Sequence, residues 1–306
     1  MRRRDVGRGL AWLWLGLCAL MALGADCVAA DRPLVHARGG EVIWLANLRD
    51  TGPRGDALRA RLGPDDWALW PPIAHDPIEV RTGGALRPLA APSAVHRLGT
   101  DDRGRDVAAR LVHGTRASLG AAALAAAIAL GLGLGLALVA VLGRGALRAA
   151  ILAGADVVAT APSVLLVIAV GGLTGVRGTG AIAILVAIPR AADTARLLVA
   201  ELEALLARPF AEAARALGAT PPRVLVRHAL PSAWPLIATA TALTAASAVL
   251  AEAALSFLGL GVPPPTPSWG ELLAQASQHE LMWWLSLPAG AVITLTAAAL
   301  LRVARR

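Results

Sequence analysis

Glu252 is a carboxylate inside an apolar run, followed one helical turn later by Ser256. A charge held at mid-membrane costs about 2.5–3.5 kcal/mol, and less near the interface, so this side chain must face a helix bundle, a partner subunit or water. Asp156 invites the same argument. Hydrogen bonding at a helix end or between subunits suits such groups better than direct contact with a substrate. A second set of charges, Asp101, Asp102, Arg103, Arg105, Asp106 and Arg110, is dense enough for an ion-paired turn leading into an interfacial helix, with Gly99 and Gly104 giving tight bends. A third region, Glu212 to Pro231, reads as a short polar helical hairpin. Pro209 can open its first helix, Gly218 can close it as a left-handed residue, Thr220 and Pro221 suit the N-cap and first position of the second helix, and Pro231 ends it. Between two apolar stretches, such a hairpin is a docking surface.

Catalytic chemistry of the chain's own is not expected. The sequence has no lysine, so it cannot carry the phosphate loop G-x-x-x-x-G-K-[ST], and any ATP must be hydrolysed by another chain. His36, His75, His96, His113, His228 and His279 are widely spaced, with no cysteine or carboxylate pattern beside them, so neither a hydrolytic triad nor a metal-ligand cluster is read from them. Gly131, Gly133 and Gly135 lie in a continuous apolar run with no strand before it, which argues for close helix packing and against a dinucleotide loop.

The elements that must hold these residues are membrane spans. A mean hydropathy of +0.60 with 56% hydrophobic residues lies far above a soluble domain, and the charges cluster between long apolar runs. At about 20 residues per span, candidates fall near 9–25, 117–142, 149–173, 178–198, 232–258 and 281–301. Six helices place both ends on one side. Arg2, Arg3, Arg4 and Arg8, then Arg144 and Arg148, then Arg208, Arg215, Arg223 and Arg227, and finally Arg302, Arg305 and Arg306 all lie on that side, which makes it cytoplasmic. This bias accounts for the net charge of +8 without nucleic acid, for no basic groove with interleaved aromatics is present. Pro162, Pro189 and Pro235 allow kinks in the third, fourth and fifth spans.

Residues 1–25 thus form a cytoplasmic N-terminus and first span, residues 26–116 an extracytoplasmic segment, and residues 117–306 a five-helix core containing the hairpin region 201–231. The first span also has features of a cleavable signal peptide, with Arg2 to Arg4, an apolar core from Leu10 to Leu23, and Val28-Ala29-Ala30. Cys18 and Cys27 sit in or beside one helix and are not expected to pair. Rich in arginine, aspartate, proline and glycine, the extracytoplasmic segment is expected to be a loop-rich flap without a conventional core, packed on the membrane domain or a soluble partner through Trp67, Trp70, Pro71 and Pro72, the alternative being that its tryptophans sit at the membrane interface.

Three strings in this framework resemble one family. Glu212-Ala213-Ala214, three residues, Gly218, nine residues and then His228-Ala229-Leu230-Pro231 are similar to the EAA loop of bacterial ABC importer permeases, with His228 where an aliphatic residue is more usual. His96 to Leu119, HRLGTDDRGRDVAARLVHGTRASL, closely resembles the signature LGTD-x-x-GRD-x-x-x-R-x-x-x-G-x-R-x-SL of the second permease subunit of dipeptide and oligopeptide importers. Glu252-Ala253-Ala254-Leu255-Ser256-Phe257-Leu258-Gly259-Leu260-Gly261, a proline run and Ser268-Trp269-Gly270 match a third pattern of the same family. A shorter likeness, Asp66 to Ile73, is to the subgroup associated with oligopeptide and microcin C uptake.

The resemblance covers residues 95–301. It implies an all-α polytopic membrane protein of six transmembrane helices with the type I importer permease fold and a loop-rich insertion after the first helix, in the bacterial inner membrane. It implies a heterodimer with a second permease, two ATPase subunits that hold the ATP and magnesium, and an extracytoplasmic substrate-binding protein. On that basis Glu212, Ala213, Ala214, Arg215, Leu217 and Gly218 couple to the ATPase, Gly99, Thr100, Asp101, Gly104, Arg105 and Asp106 form the extracytoplasmic motif, and Asp156, Glu252 and Ser256 are intramembrane polar sites. Many family members continue into a G-D-x-L-R-D-x-L-D-P tail, whose ATPase contacts have no counterpart before Arg306. Import of nickel or another small metal complex is the alternative within the superfamily, and a membrane-anchored receptor is the alternative of another class.

Overall fold

The computed structural model describes residues 2–38, 41–48, 54–63, 65–79, 88–143, 145–160, 169, 172–173, 178–279 and 282–305. It is mostly helical. The order is α1 (Arg2–Val28), β1 (Val35–Arg38), β2 (Glu41–Trp44), a 3-10 turn (Ala46–Leu48), α2 (Gly55–Arg59), β3 (Trp67–Leu69), α3 (Val107–Leu142), α4 (Ala146–Thr160), α5 (Thr179–Leu206), α6 (Pro209–Ala216), α7 (Pro221–Val224), a π turn (Leu225–Ala229), α8 (Leu230–Ser232), α9 (Trp234–Phe257), α10 (Trp269–Gln278) and α11 (Trp283–Ala304). Among the described residues four helices are long and apolar enough to cross a membrane: Val6–Val28, Val107–Leu142, Trp234–Phe257 and Trp283–Ala304. α5 is longer than three of them, but Arg190, Asp193 and Arg196 crowd its middle. The third expected span and Pro162 lie partly or wholly outside the described residues.

Two units divide the chain. One comprises residues 1–12, 121–251 and 296–306. Its core is a stripe of α5, where Leu198, Leu202 and Leu205 recur at the helical spacing of one face. They meet Ala137 and Ala140 of α3, Leu225 and Ala229 of the π turn, and Ile237 of α9. Gly133 is the glycine that packing demands: a Cβ there would lie 2.8 Å from Thr194 Cβ and 2.9 Å from Ala191 O. Gly131 and Gly135 face no atom within 4 Å, so close approach is a property of one of the three glycines. Gly133→Leu is therefore expected to cost about 1–3 kcal/mol by overpacking, and Gly131→Leu much less. Thermal unfolding of the two variants in detergent measures the difference. Pro189 sits within the continuous α5, whereas Pro235 occupies the first turn of α9, where its missing N–H costs no bond and no kink is needed.

The other unit comprises residues 13–120 and 252–295. α1 departs from helical geometry at Gly24 (φ −101°, ψ 20°), and Arg116 donates to the carbonyls of Ala22 (2.6 Å) and Leu23 (3.2 Å) beside that break while pairing with Asp26 at 2.7 Å. Beyond α1 the expectation of a purely α-helical chain fails. β1 pairs antiparallel with β2 (Val35 opposite Trp44) and with β3 (Val35 opposite Leu69), giving the order β2-β1-β3. Strands of three or four residues carry too little alternation to show in the sequence, and backbone pairing rather than a core holds them. Arg59 of α2 stacks over Trp70 at 4.4 Å from the ring centre, a contact within the segment itself, while Trp67 is half exposed.

Asp31, just past α1, is buried. That burial, with the carboxylates of Asp76 and Glu79, pushes its carboxyl up from 3.8 to about 6. The folded chain thus holds this proton more tightly than the unfolded chain, and the fold loses stability as pH rises from about 4 to 6. Asp31→Asn should accordingly stabilise the protein near neutral pH by about 1–2 kcal/mol after solvent screening, with little difference below about pH 4. Unfolding midpoints across that range provide the check.

Candidate functional site

The hairpin begins with Pro209 at the first position of α6 and ends that helix in a Schellman turn. Gly218 is left-handed (φ 86°). Its N–H donates to Arg215 O (2.9 Å) and the Ala219 N–H donates to Ala214 O (3.0 Å), so two orphan carbonyls of the helix end are satisfied. Thr220 is the N-cap residue of α7 with Pro221 behind it, yet its side chain makes no capping bond. Pro231 does not end the second helix as expected. α7 passes into the π turn and then α8, where Pro231 lies in a first turn that has no need of its N–H.

The hairpin presents one wet and one dry face. Glu212, Ala213, Arg215 and Leu217 are exposed, Leu217 at 89%, whereas Ala211, Val224, Leu225 and Ala229 are fully buried. Ala214 is half-buried. Arg215 donates back to Leu206 O at the end of α5 (3.2 Å). In the same unit Arg148 makes a two-pronged pair with Glu203 (2.7 and 2.9 Å), an exposed link between α4 and α5.

The charged turn of residues 99–106 is built as its spacing predicts. Gly99 (φ 66°) and Gly104 (φ 77°) take left-handed conformations. At Gly99 a Cβ would come within 2.5 Å of Ala90 O and 2.9 Å of Trp284 Cδ1, so only glycine fits. Thr100 and Asp106 form an antiparallel bridge, and Asp101 accepts from the backbone N–H groups of Arg103 and Arg105 (2.9 Å each). Arg105 pairs with Asp101 at 2.6 Å, and Arg110 approaches the same carboxylate at 3.3 Å. All three are almost wholly buried. Glu271, at the start of α10, completes the cluster by pairing with Arg110 and Arg105. Two buried guanidinium groups between two carboxylates account for Arg105 and Arg110, while Arg97, Arg103 and Arg116 stay exposed.

Glu252 and Ser256 come together as the third string suggests. Ser118 Oγ donates to one carboxylate oxygen of Glu252 and Ser256 Oγ to the other, both at 3.0 Å. Ser118 also accepts from the Trp269 N–H (3.2 Å), and the indole N–H of Trp269 donates to Leu111 O (3.0 Å). The glycines of this string leave room for Ser256: a Cβ on Gly261 would meet Ser256 Oγ at 2.0 Å, and one on Gly270 would meet Ser256 Cβ at 2.7 Å. Glu252, Ser256 and the Ser268-Trp269-Gly270 turn are thus one packed hydrogen-bonded knot, closed to solvent. Asp156 behaves differently, pairing with Arg196 at 3.1 Å as an exposed ion pair.

Residues 117–306 match the family described as the inner membrane component of binding-protein-dependent transport systems. The chain belongs to that family. Among its relatives, a probable peptide ABC transporter permease of Sinorhizobium fredii is 39% identical over 249 residues, covering 81% of this chain and 78% of the relative. The di/tripeptide permease DppC of Pseudomonas aeruginosa is 35% identical over 279 residues, covering 89% and 91%. The permease fold itself is seen in the inward-facing MetNI methionine ABC transporter, which superposes with a TM-score of 0.51 over 64% of this chain and 95% of that one at 20% identity. In this permease, sequence reasoning missed Glu271, although Ser268 and Glu271 have capping-box spacing and the Ser268 side chain accepts from the Glu271 N–H (3.0 Å). It also missed the meeting of His75, His96 and Asp106, whose ligand atoms lie within 4.8 Å of one another. Separations of 21 and 10 residues carry no local signal.

Proposed function

We propose that this permease is one of two different membrane subunits of an ATP-driven importer that carries di- and oligopeptides across the bacterial cytoplasmic membrane. The observation that carries the reading is its likeness, over most of its length, to permeases named for peptide transport. Six helices span the bilayer with both termini in the cytoplasm, as the arginine distribution argues. Residues 26–116 lie outside, where a substrate-binding protein docks. The hairpin around Glu212 to Gly218 lies inside, seated on one of two ATPase subunits that hold ATP and magnesium. Closure of the ATPases moves the hairpin, and the helices rearrange so that peptide passes between the two permeases. No bond is made or broken on this chain.

Purification of a tagged chain from membranes in gentle detergent, with mass spectrometry of what accompanies it, tests this assembly. Wild type is expected to bring a second permease and ATPase polypeptides, and Gly218→Asp to lose the ATPases while keeping the permease. Recovery of the wild-type chain without any ATPase would overturn the proposal.

A further inference from the structure

On the import reading above, we propose that the stripe of α5 carrying Arg190 and Asp193 lines a water-filled passage and receives the charged groups of a peptide on its way to the cytoplasm. α5 runs for 28 residues from Thr179 to Leu206. At 1.5 Å per residue Arg190 lies about 17 Å from the first of them and about 24 Å from the last, and Asp193 about 21 Å and 20 Å. Whichever end marks the edge of the bilayer, both fall within its hydrocarbon core of about 30 Å. Charges at that depth are costly against lipid, and belong to a packed interior or to a route for polar cargo.

A packed interior is not where they lie. The side chain of Arg190 is 38% exposed and that of Asp193 44%. They meet at 3.4 Å through Nη1 and Oδ2, a loose pair that leaves the rest of the guanidinium and the other carboxylate oxygen for another partner. Beside them Arg196 and Asp156 of α4 form a second pair at 3.1 Å, again half exposed. Every one of these charges has its counter-ion on this chain, so no charge from a partner subunit is called for, and exposed pairs of this kind are at home in water. Steps of three and four continue the stripe from Arg190 and Asp193 through Leu197, Ala200 and Ala204, the last three exposed. Leu198, Leu202 and Leu205 hold the helix to the core from another side. A free peptide carries a carboxylate and an ammonium group. The guanidinium fork of Arg190 suits the first and the carboxylate of Asp193 the second. Opposite charges that can pair with each other again let go of what they bind, as conduction requires. The hairpin helix α6 begins at Pro209, just past the end of α5, so movement of the hairpin reaches the helix that bears these charges.

A thiol at Leu197 reads the wetness of the stripe without touching a charge. The test uses the whole importer in inside-out membrane vesicles without nucleotide, with Cys18→Ala and Cys27→Ala in this chain. Leu197→Cys is expected to react with a membrane-impermeant cationic methanethiosulfonate reagent. Ile188→Cys, equally exposed but nine residues or about two and a half turns away and so on the opposite side of α5, is expected to stay unmodified. A second measurement compares uptake of a labelled peptide carrying either one glutamate or one lysine at the same position. Arg190→Gln is expected to lower the ratio of acidic to basic peptide uptake about three- to fivefold, and Asp193→Asn to raise it as much, the size of a water-exposed ion pair. A merely structural defect would lower both uptakes alike. Leu197→Cys left unmodified by the reagent would overturn the passage, and a ratio unchanged by both variants, with wild type importing both peptides, would overturn the peptide contact. Wild type that imports neither peptide would fail the import reading itself and remove the peptide as occupant, while the thiol result still separates a wet face from a dry one.

Discussion

Gly218→Val is expected to lower peptide uptake about tenfold, and Gly218→Asn to retain most of it. Gly218 sits at φ 86°, and its would-be Cβ meets nothing within 4 Å, so a side chain is opposed by backbone strain alone. The left-handed conformation costs an L-residue about 1–2 kcal/mol, most for β-branched valine and least for asparagine, whose short polar side chain tolerates it. A penalty of that size shifts a local equilibrium by a factor of about 5–30. The Schellman bonds of Gly218 and Ala219 to Arg215 and Ala214 would open, and exposed Leu217 and Glu212 would no longer hold a fixed direction. Uptake of labelled peptide into cells, measured with ATP hydrolysis by the isolated complex, separates the cases. Hydrolysis that persists without uptake marks a coupling defect, and full uptake by Gly218→Val would remove the hairpin from the mechanism.

Glu271→Ala is expected to destabilise the protein by about 3–5 kcal/mol, because it leaves the fully buried Arg110 short of a counter-charge. Asp101 remains, but Arg105 already engages it more closely than Arg110 does. Pairing the loss with Arg110→Met, which fills the space without a charge, should recover a large part of the stability. The difference between the double variant and the sum of the two single variants measures the coupling directly. Thermal unfolding in detergent, followed by size exclusion, is the readout. A Glu271→Ala protein as stable as wild type would mean that water reaches Arg110.

What could be read before the structure was whatever a local backbone requirement writes into a residue type. Gly99, Gly104 and Gly218 all adopt the left-handed geometry that their places in turns predicted, and Pro209 opens α6. The cluster of Asp101, Arg105 and Arg110 follows from neighbouring charges that cannot each be left unpaired. Contacts between distant segments were less legible. Glu271 joins Arg110 across 161 residues, and His75 meets His96 through the folding of two loops, so no spacing announces either. The three-stranded sheet escaped because its strands are shorter than the alternation that would reveal them. Equal glycines also proved unequal: Gly133 faces Thr194 while Gly131 and Gly135 face open space, a distinction set by the neighbouring helix.

The π turn at Leu225–Ala229 gives the joint between hairpin and long helix one residue of slack. A π turn carries one residue more than the α turn it replaces. Tightening it into an ordinary α-helix would hand that residue on, sliding α9 by about 1.5 Å along its axis and turning it by roughly 100°. Residues up to Val224 and from Leu230 onward therefore read on two helical wheels out of phase, and a push of small amplitude at the joint has a rotation of large amplitude available to it.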